Sequence, residues 1–422
     1  MAEHAPDPSP SSSPESPASS PPPSHASSPS ETRAPSPFAS TAPHEAPGGL
    51  PLEGIRVVAL EHAVAAPLCS RHLADLGALV TKVERPDGGD FARHYDDAVN
   101  GLSANFAWLN HGKRSVALDL RSEAGREALE GLLSTADVFV HNLGPGAVER
   151  LGFGAEPLAE RYPRLVWCSI SGYGREGPYQ ARKGFDLLLQ GETGVLAVTG
   201  SPEEPAKVGV ALGDTAAGIY AAASILAVLL ERERTGRGRR VDIALFDVLA
   251  EWMSYPLLMA RSGRPFARAG ARHARIVPYG PYRCGDGGLL NLAVQNEGQW
   301  RRLCAALGHA EWADDPAWQR PEGRLADRAR LEATIEGALS EMTREEARDR
   351  LEAADVPVGD VNDLADVVSH PQLVERDRWL ECDSEMGPVR VLDHPFGISG
   401  LPRRRRRIPA LGEDDEDLAP QG

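Results

Sequence analysis

The sequence predicts an α/β fold in which a mostly parallel sheet is covered by helices on both faces. Short apolar runs alternate with segments of helical periodicity between residues 54 and 171. The runs are apolar almost throughout, which is typical of parallel strands that are buried on both faces. Hydrophobic residues make up 41% of the 422 residues, so the chain can bury the core that such a fold needs.

A β-α-β unit opens the folded part near Pro51. The run GIRVVALE at 54–61 ends on a charge and predicts a buried strand. PLCSRHLADLGA at 67–78 has apolar residues at helical spacing and a glycine near its end, and LVTKVER at 79–85 predicts the next strand. This order of elements favours two neighbouring parallel strands.

The same alternation continues to residue 171. Three further strands are predicted at 114–120, 136–143 and 164–171, and the helical segment SEAGREALEGLLST occupies 122–135 between two of them. Strands that alternate with helices build a parallel sheet whose helices pack on its two faces.

Beyond residue 185 the pattern becomes helical. A long apolar helix is predicted at 215–236, and helical texture continues over 241–260. Residues 261–280, rich in Arg, Gly and Pro, are interpreted as a linker, and 282–295 predicts a hairpin that turns at Asp286-Gly287. Helices are then predicted at 297–307, 324–340 and 343–354, with strand and loop at 356–363 and 388–396.

The residues at both ends of the chain differ in composition from those of a folded domain. Residues 1–50 contain 13 Pro, 13 Ser and one aromatic residue, Phe38, so they cannot bury enough apolar surface to offset the entropy lost on ordering. They are interpreted as a disordered Ser/Pro-rich tail. RRRRR at 403–407 and EDDED at 413–417 are interpreted as parts of a solvated, charged C-terminal tail at 403–422.

The net charge and the cysteine content exclude several classes of partner and of site. The net charge of −16 argues against broad binding to nucleic acid or to a membrane surface, and no run of about 18 apolar residues predicts a membrane span. The cysteines at 69, 168, 284, 304 and 382 are odd in number and form no C-x-x-C pair. This pattern excludes a disulfide scaffold and a thiolate zinc site, and it favours a reducing, cytoplasmic location.

The segment SGYGREG at 171–177 satisfies the G-x-G-x-x-G pattern but does not predict a dinucleotide site. A dinucleotide fingerprint must open a helix whose N-terminus holds the pyrophosphate. Here Pro178-Tyr179 and a basic segment follow instead.

A carboxylate is the strongest candidate nucleophile. Cys168 lies mid-strand, where an inert thiol is expected; no serine lies in a G-x-S-x-G elbow, and the histidines lack metal-ligand spacing. Asp214 directly precedes the long apolar helix. It is either an N-cap or an ionised carboxylate, kept ionised by the helix dipole, that attacks an activated acyl group.

Basic residues collect near the predicted ends of the strands. Ligands of open α/β sheets bind beyond the carboxyl ends of the strands, and arginine and lysine suit phosphate. Several cations there, in an otherwise acidic protein, favour a polyphosphate ligand. The residues concerned are Arg85, Lys113, Arg114, Arg150, Arg182 and Lys183.

In the order and spacing of its segments the chain resembles the family III CoA-transferases, the CaiB/BaiF family that includes formyl-CoA transferase. The resemblance covers about residues 51–400. It is carried by PLEGIRVVALEHAVAAP, LADLGALVTKVERPDGGD, LNHGKRSVALDL, VFVHNLGPGAVERLGF, SGYGREGPY, RKGFDLLLQGETG and the stretch at 209–247 that begins GVALGDTAAGIY.

The resemblance implies a CoA-transferase whose substrates are an acyl-CoA and a carboxylic acid, with no permanently bound cofactor and no metal. It implies that Asp214 is catalytic and that Phe185 and Asp186 line the substrate pocket. The residues that match the family's CoA site are His62, Ala63, Val64, Arg85, Leu118, Arg121, Asn142, Leu143, Ala147, Arg150 and Lys183.

The resemblance also implies an architecture. The expected large domain is Rossmann-like and is built from residues 51–250 and 325–402. A small α+β domain is expected at 265–324, and two subunits are expected to form an interlocked homodimer.

The chain departs from formyl-CoA transferase at the implied active site. That enzyme has Gln where this chain has Val64 and Tyr where it has Phe185, and its glycine-rich loop has no clear counterpart here. The segment at 279–300 instead resembles relatives that act on dicarboxylic acids, such as succinyl-CoA-dependent transferases.

Two other functions stay open. An α-methylacyl-CoA racemase or epimerase of the same superfamily has His where this chain has Phe185, and Phe185 cannot transfer a proton. Asp186 could, but its side chain would point elsewhere from a strand. A CoA-binding protein without turnover would use Asp214 only as a helix cap.

Overall fold

The computed structural model describes residues 49–264 and 266–418. The predicted Ser/Pro-rich tail at 1–50 lies outside the described residues except for Gly49 and Leu50. Leu50 is buried against Gly77, so the folded part begins slightly earlier than predicted.

Six parallel strands form the main sheet, and five of them were predicted. Their order across the sheet is β3-β2-β1-β4-β5-β6. The strands are β1 (Arg56–Leu60), β2 (Leu79–Glu84), β3 (Arg114–Ala117), β4 (Val138–His141), β5 (Val166–Ser171) and β6 (Arg240–Ala244). The order reverses direction between β1 and β4, so the loops after these two strands diverge and leave a crevice at their carboxyl ends.

Ten helices of the first part of the chain connect or flank these strands. They are α1 (Ala65–Asp75), α2 (Ala104–Asn110), α3 (Glu123–Ser134), α4 (Ala147–Arg150), α5 (Ala155–Arg161), α6 (Asp186–Glu192), α7 (Val195–Val198), α8 (Leu212–Thr235), α9 (Leu245–Trp252) and α10 (Ser254–Arg261).

The strands are buried on both faces because successive side chains point to opposite sides. Val57 and Ala59 of β1 contribute to a core with α1 and α8, whereas Val58 and Leu60 contribute to a second core with α3 and α5. The apolar runs in the sequence therefore reflect a sheet that lies between two helical layers, as predicted.

Helix α8 is long and apolar, and it bears on the prediction that the chain has no segment able to span a membrane. It is the one helix, among residues 49–264 and 266–418, that is long and apolar enough to cross a membrane, so the expectation of no such segment is wrong on that criterion. The helix packs along α1, where a Cβ on Gly218 would lie 2.6 Å from the carbonyl oxygen of Ala65. Its buried face belongs to the core of the large sheet.

The predicted helical texture over 241–260 is wrong at its start. Residues 240–244 form β6, which pairs in parallel with β5, and α9 begins only at Leu245. The side chains of Val241 and Ala244 are buried, while Asp242 is not. The strand is only partly buried because it lies at an edge of the sheet, with β5 as its one neighbouring strand.

The rest of the chain contains six strands and six helices in the described residues. The strands are β7 (Tyr279–Arg283), β8 (Leu289–Ala293), β9 (Val358–Asp360), β10 (Trp379–Asp383), β11 (Val389–Leu392) and β12 (Arg406–Arg407). The helices are α11 (Glu297–Ala306), α12 (Pro321–Ala326), α13 (Arg328–Leu339), α14 (Arg344–Ala353), α15 (Leu364–Val368) and α16 (Pro371–Val374).

A second, separate hydrophobic core surrounds the predicted hairpin. β7 and β8 pair antiparallel, and the turn includes Asp286-Gly287, which confirms the hairpin. Helices α13 and α14 pack into the same core, which extends to Val356. The expected return to the large domain at residue 325 therefore falls inside this second core, because the apolar faces of α13 and α14 cover the hairpin sheet.

The prediction of a solvated tail at 403–422 is wrong for the stretch around Arg406 to Asp415, although Arg403, Arg404 and Arg405 are exposed. Arg406 forms a buried ion pair with Asp75 on α1, and Ile408 is buried. The carboxylates of Asp414 and Asp415 accept hydrogen bonds from the backbone N–H groups of Ser115 and Ala117 on β3. The segment covers the free edge of the main sheet, which otherwise exposes unpaired backbone groups.

Candidate active site

The crevice at the carboxyl ends of β1 and β4 is held together by Asn142. Its side-chain oxygen accepts from the backbone N–H of His62 at 3.1 Å, and its side-chain nitrogen donates to the carbonyl of His62 at 2.8 Å. The next residue, Ala63, has a φ of 62°, a left-handed value that is uncommon outside glycine. Its N–H donates to the Asp90 carboxylate. The loop after β1 is thus fixed by side chains from two other segments.

Buried ion pairs surround the loop after β1. The ammonium of Lys113 lies 2.6 Å from the Glu61 carboxylate, whose other oxygen accepts from Ser70. Lys82 pairs with Asp90 at 2.9 Å. Lys113 is therefore not available to a polyphosphate ligand, and that part of the prediction is wrong. The sequence gives no sign that Lys113 pairs with Glu61, because the two residues are 52 positions apart.

Two neighbouring cavities open at the crevice and share His62, Phe91 and Leu143. The larger has a volume of about 520 Å³, and the smaller, which contains Asp214, about 350 Å³. Of the residues predicted to contact CoA, the larger cavity is lined by His62, Arg85, Leu118, Arg121 and Leu143. The smaller is lined by His62, Ala63, Val64, Asn142, Leu143 and Lys183, together with Phe185 and Arg182.

Three of the predicted site residues lie elsewhere. Ala147 and Arg150 are on the short helix α4 and line neither cavity, and Arg150 is exposed. Asp186 also lines neither cavity. It is the first residue of α6, so the assumption that it lies in a strand is wrong.

Asp186 caps the long helix α8. Its Oδ1 accepts from the backbone N–H of Gly213 at 2.6 Å and of Asp214 at 3.4 Å, and its other oxygen accepts from Gln190. A Cβ at Gly213 would lie 3.1 Å from that Oδ1, so glycine allows the close approach. The prediction that Asp186 lines the substrate pocket is thereby corrected.

The N-cap interpretation of Asp214 is wrong, because Asp214 lies inside the first turn of α8 and makes no capping hydrogen bond. Its carboxylate accepts no hydrogen bond from the residues that the structure describes, and it lines the 350 Å³ cavity. Burial, reinforced by the negative charge of Asp186, raises its pKa to about 7. These two effects outweigh the helix dipole, which was expected to keep the group ionised.

This raised pKa predicts that Asp214→Asn stabilises the protein at pH 8. The folded state holds the proton more tightly than the unfolded chain, so the wild type loses stability as pH rises from about 4 to about 7. Asparagine has no such charge to bury. Because Asp214 is partly exposed, we expect a gain of about 1–3 kcal/mol at pH 8 and almost none at pH 4.5. Denaturant unfolding at the two pH values measures the difference, and an equal effect at both would contradict it.

Sequence reasoning missed two aromatic residues of the smaller cavity, Phe91 and Tyr95. Tyr95 lines the same cavity as Asp214, and burial together with the carboxylates of Asp90 and Asp214 raises the pKa of its hydroxyl. Asp90 caps the short helical turn that carries both aromatics. The only signal in the sequence is this spacing of aromatics after a capping residue.

Of the glycines of SGYGREG, Gly172 is required by chain packing. A Cβ on Gly172 would lie 2.5 Å from the Cα of Gly184, so two backbone segments cross there. No helix begins between the end of β5 at Ser171 and Asp186, which confirms that this segment lacks the helix of a dinucleotide fingerprint. The five cysteines are all buried and free, and burial raises the pKa values of Cys69 and Cys168.

Known proteins match this chain over most of its length. The family model described as CoA-transferase family III matches residues 52–415. A relative from Agrobacterium fabrum, named succinate–glutarate CoA-transferase, is 35% identical over 378 residues, which cover 86% of this chain and 93% of the relative. An acetyl-CoA:oxalate CoA-transferase from Acetobacter aceti is 33% identical over 87% of this chain and 95% of its own.

Solved structures agree with the sequence matches. The crystal structure of a CaiB/BaiF family protein from Brucella suis superposes with a TM-score of 0.78 at 35% identity. It covers 88% of this chain and 98% of that one. The fold, the family match and the relatives agree with the resemblance seen in the sequence, and the chain belongs to CoA-transferase family III.

Proposed function

We propose that this protein transfers CoA from an acyl-CoA to a carboxylic acid, with Asp214 as the nucleophile. The observation that carries the proposal is the Asp214 carboxylate itself. It lines a cavity and lacks a hydrogen-bond partner among the described residues. Asp186, not Asp214, makes the capping hydrogen bonds of α8. The relatives named for succinate, glutarate and oxalate support CoA transfer between acids of this kind.

The reaction proceeds by covalent exchange at the Asp214 carboxylate. Asp214 attacks the thioester carbonyl carbon, the C–S bond breaks, and a mixed anhydride and CoA thiolate form. The thiolate attacks the aspartyl carbonyl and releases the donor acid, which leaves an aspartyl-CoA thioester. The acceptor carboxylate attacks the aspartyl carbonyl of this thioester, the C–S bond breaks, and a second mixed anhydride and CoA thiolate form. The thiolate attacks the acceptor's acyl carbon in this anhydride, which gives the new acyl-CoA and restores the Asp214 carboxylate. In the alternative order, the acceptor carboxylate attacks the aspartyl carbonyl of the first anhydride and displaces the donor acid. The retained thiolate then attacks the acceptor's acyl carbon, which gives the new acyl-CoA and restores the Asp214 carboxylate.

The pKa of Asp214 sets the pH range of this chemistry. A carboxylate whose pKa is about 7 is more basic than an ordinary aspartate, and is only partly ionised at neutral pH. Ionisation is required for attack, so kcat/KM is expected to rise with pH through this region.

Trapping with hydroxylamine tests the proposal. Incubation with acyl-CoA, followed by hydroxylamine and mass spectrometry of peptides, should find a hydroxamate on Asp214. A CoA-binding protein without turnover would show no modification, and that result would contradict the proposal.

Racemisation finds less support at this site. It needs an acid and a base on opposite sides of the reacting carbon. Phe185 lines the cavity but carries no titratable group, and the Asp186 carboxylate is engaged at the start of α8.

The two cavities suggest where each end of CoA binds. The nucleotide end is placed in the larger cavity near Arg85 and Arg121, and the thioester end in the smaller one near Lys183 and Asp214. No permanent cofactor is part of this scheme, since CoA enters and leaves as a substrate.

We expect Arg85→Ala and Lys183→Ala each to weaken CoA binding by about 10- to 150-fold, since each loses a charge-assisted contact. Arg150→Ala should have less effect because Arg150 lies outside both cavities. The loss should appear mainly in KM. Titration of each variant with CoA and dephospho-CoA measures it, and wild-type affinity in all three variants would show that the pocket is misplaced.

We further propose that the protein is an interlocked homodimer and that it is located in the cytoplasm. Exposed apolar side chains on α9 and α10, among them Trp252, Tyr255 and Leu258, support an interface. Sedimentation over a range of concentrations is expected to show only the dimer, because such subunits have no stable folded monomer. A dissociating monomer of native helicity would contradict this arrangement.

A further inference from the structure

We infer that Arg182 selects a dicarboxylic acid as substrate by binding the carboxylate that does not react. The inference rests on the proposed CoA transfer at Asp214. Arg182 belongs to the segment between β5 and α6 and lines the same 350 Å³ cavity as Asp214. It is a cation in the part of the site where the acyl group must lie.

This cavity is lined by two cations and one carboxylate, so a substrate with two carboxylates can be bound there. Its ionisable lining consists of Arg182 and Lys183, Asp214, Tyr95 and a histidine, His62, whose pKa is lowered by burial. The reacting carboxyl group of any acid must reach Asp214, which does not use either cation as a hydrogen-bond partner. A monocarboxylic acid would present only an alkyl chain to them, whereas a dicarboxylic acid presents a carboxylate.

Arg182 is held in place for such a contact. Its guanidinium lies 3.6 Å from the ring centre of Tyr179, which packs edge-on against Tyr173. The backbone N–H of Arg182 also donates to the carbonyl of Tyr179. The only carboxylate paired with Arg182 in the described residues is Glu192, at 3.9 Å, the outer limit of an ion pair. The planar fork is therefore positioned but weakly occupied.

Arg182 suits this role better than the other cations of the crevice. A guanidinium binds a carboxylate with two parallel hydrogen bonds, whereas the lysine ammonium acts as a point charge. Arg85 and Arg121 line the larger cavity, away from Asp214, and fit the nucleotide end of CoA. Lys183 is the cation that the family resemblance assigns to CoA.

Arg182→Gln tests the inference through a ratio of acceptors. With succinyl-CoA as the fixed donor, kcat/KM is measured for glutarate and for valerate, which has the same chain length and one carboxylate. Any effect on the donor cancels in the glutarate-to-valerate ratio. We expect the wild type to favour glutarate and the variant to lose about 10- to 150-fold of that ratio, mainly through the KM for glutarate.

Arg175→Gln is the matched control. Arg175 lies on the same segment and also stacks on an aromatic ring, that of Trp167, but it pairs with Glu149 at 2.6 Å and lines neither of the two cavities. Its substitution should leave the glutarate-to-valerate ratio unchanged. Arg182→Glu should in turn favour 5-aminopentanoate over glutarate, since the charge at this position is reversed.

The outcomes separate this inference from the proposed function. A new thioester with an unchanged ratio in Arg182→Gln, or a wild type that prefers valerate, would overturn the role of Arg182 and leave CoA transfer standing. Failure to form a thioester with every acid tested would overturn both.

Discussion

Asp214→Ala is expected to abolish acyl exchange while CoA binding and the fold are retained. The Asp214 carboxylate is the only carboxylate that lines the smaller cavity, so no neighbouring group in the described residues replaces it. Loss of a covalent nucleophile lowers the rate by several orders of magnitude, about 10⁴-fold or more. Because Asp186 rather than Asp214 caps α8, the substitution removes no capping hydrogen bond.

New-thioester formation followed by mass spectrometry measures this effect, and CoA titration shows whether the binding site persists. Activity above a few per cent of the wild type would exclude Asp214 as the nucleophile.

Asp186→Asn is the informative companion variant. Its side-chain oxygen can still accept from Gly213, but the negative charge that helps to raise the pKa of Asp214 is gone. The acidic limb of the kcat/KM profile should therefore move to lower pH. An unmoved limb would show that Asp186 does not tune the nucleophile.

The largest effect on stability is expected from Lys113→Met, at about 3–5 kcal/mol of unfolding free energy. The side chains of Lys113 and Glu61 are fully buried, and their ion pair is 2.6 Å long. Burial lowers the pKa of Lys113 to about 8, so the lysine is still charged at neutral pH. Methionine fills a similar volume but leaves the buried carboxylate without its main partner.

Urea unfolding at pH 7 measures the loss, and the double variant Lys113→Met/Glu61→Gln provides the control. Removing both charges should restore part of the stability, because the single variant is penalised mainly by the unpaired charge. A single variant within about 1 kcal/mol of the wild type would show that the pair is not needed to hold the loop after β1.

The sequence by itself determined five of the six strands of the main sheet and singled out Asp214. The five predicted strands of the sheet are continuous apolar runs because each is buried on two faces, and that requirement is visible locally. The glycine and aspartate at the start of the long apolar helix are likewise local signals. The family's order of segments also identified a set of residues for CoA binding, and most of them line the two cavities.

Tertiary structure alone decided which partner each charge takes. Asp186 caps a helix that begins 26 residues after it, Lys113 pairs with Glu61 in the loop after β1, and Arg406 pairs with Asp75 on α1. The same fact explains why the C-terminal segment looked solvated: a run of arginines and acids has no apolar pattern, and its contacts lie hundreds of residues away. Hydrophobic periodicity is recorded in neighbouring residues, whereas the pairing of a charge depends on which distant side chain the fold brings within about 3–4 Å.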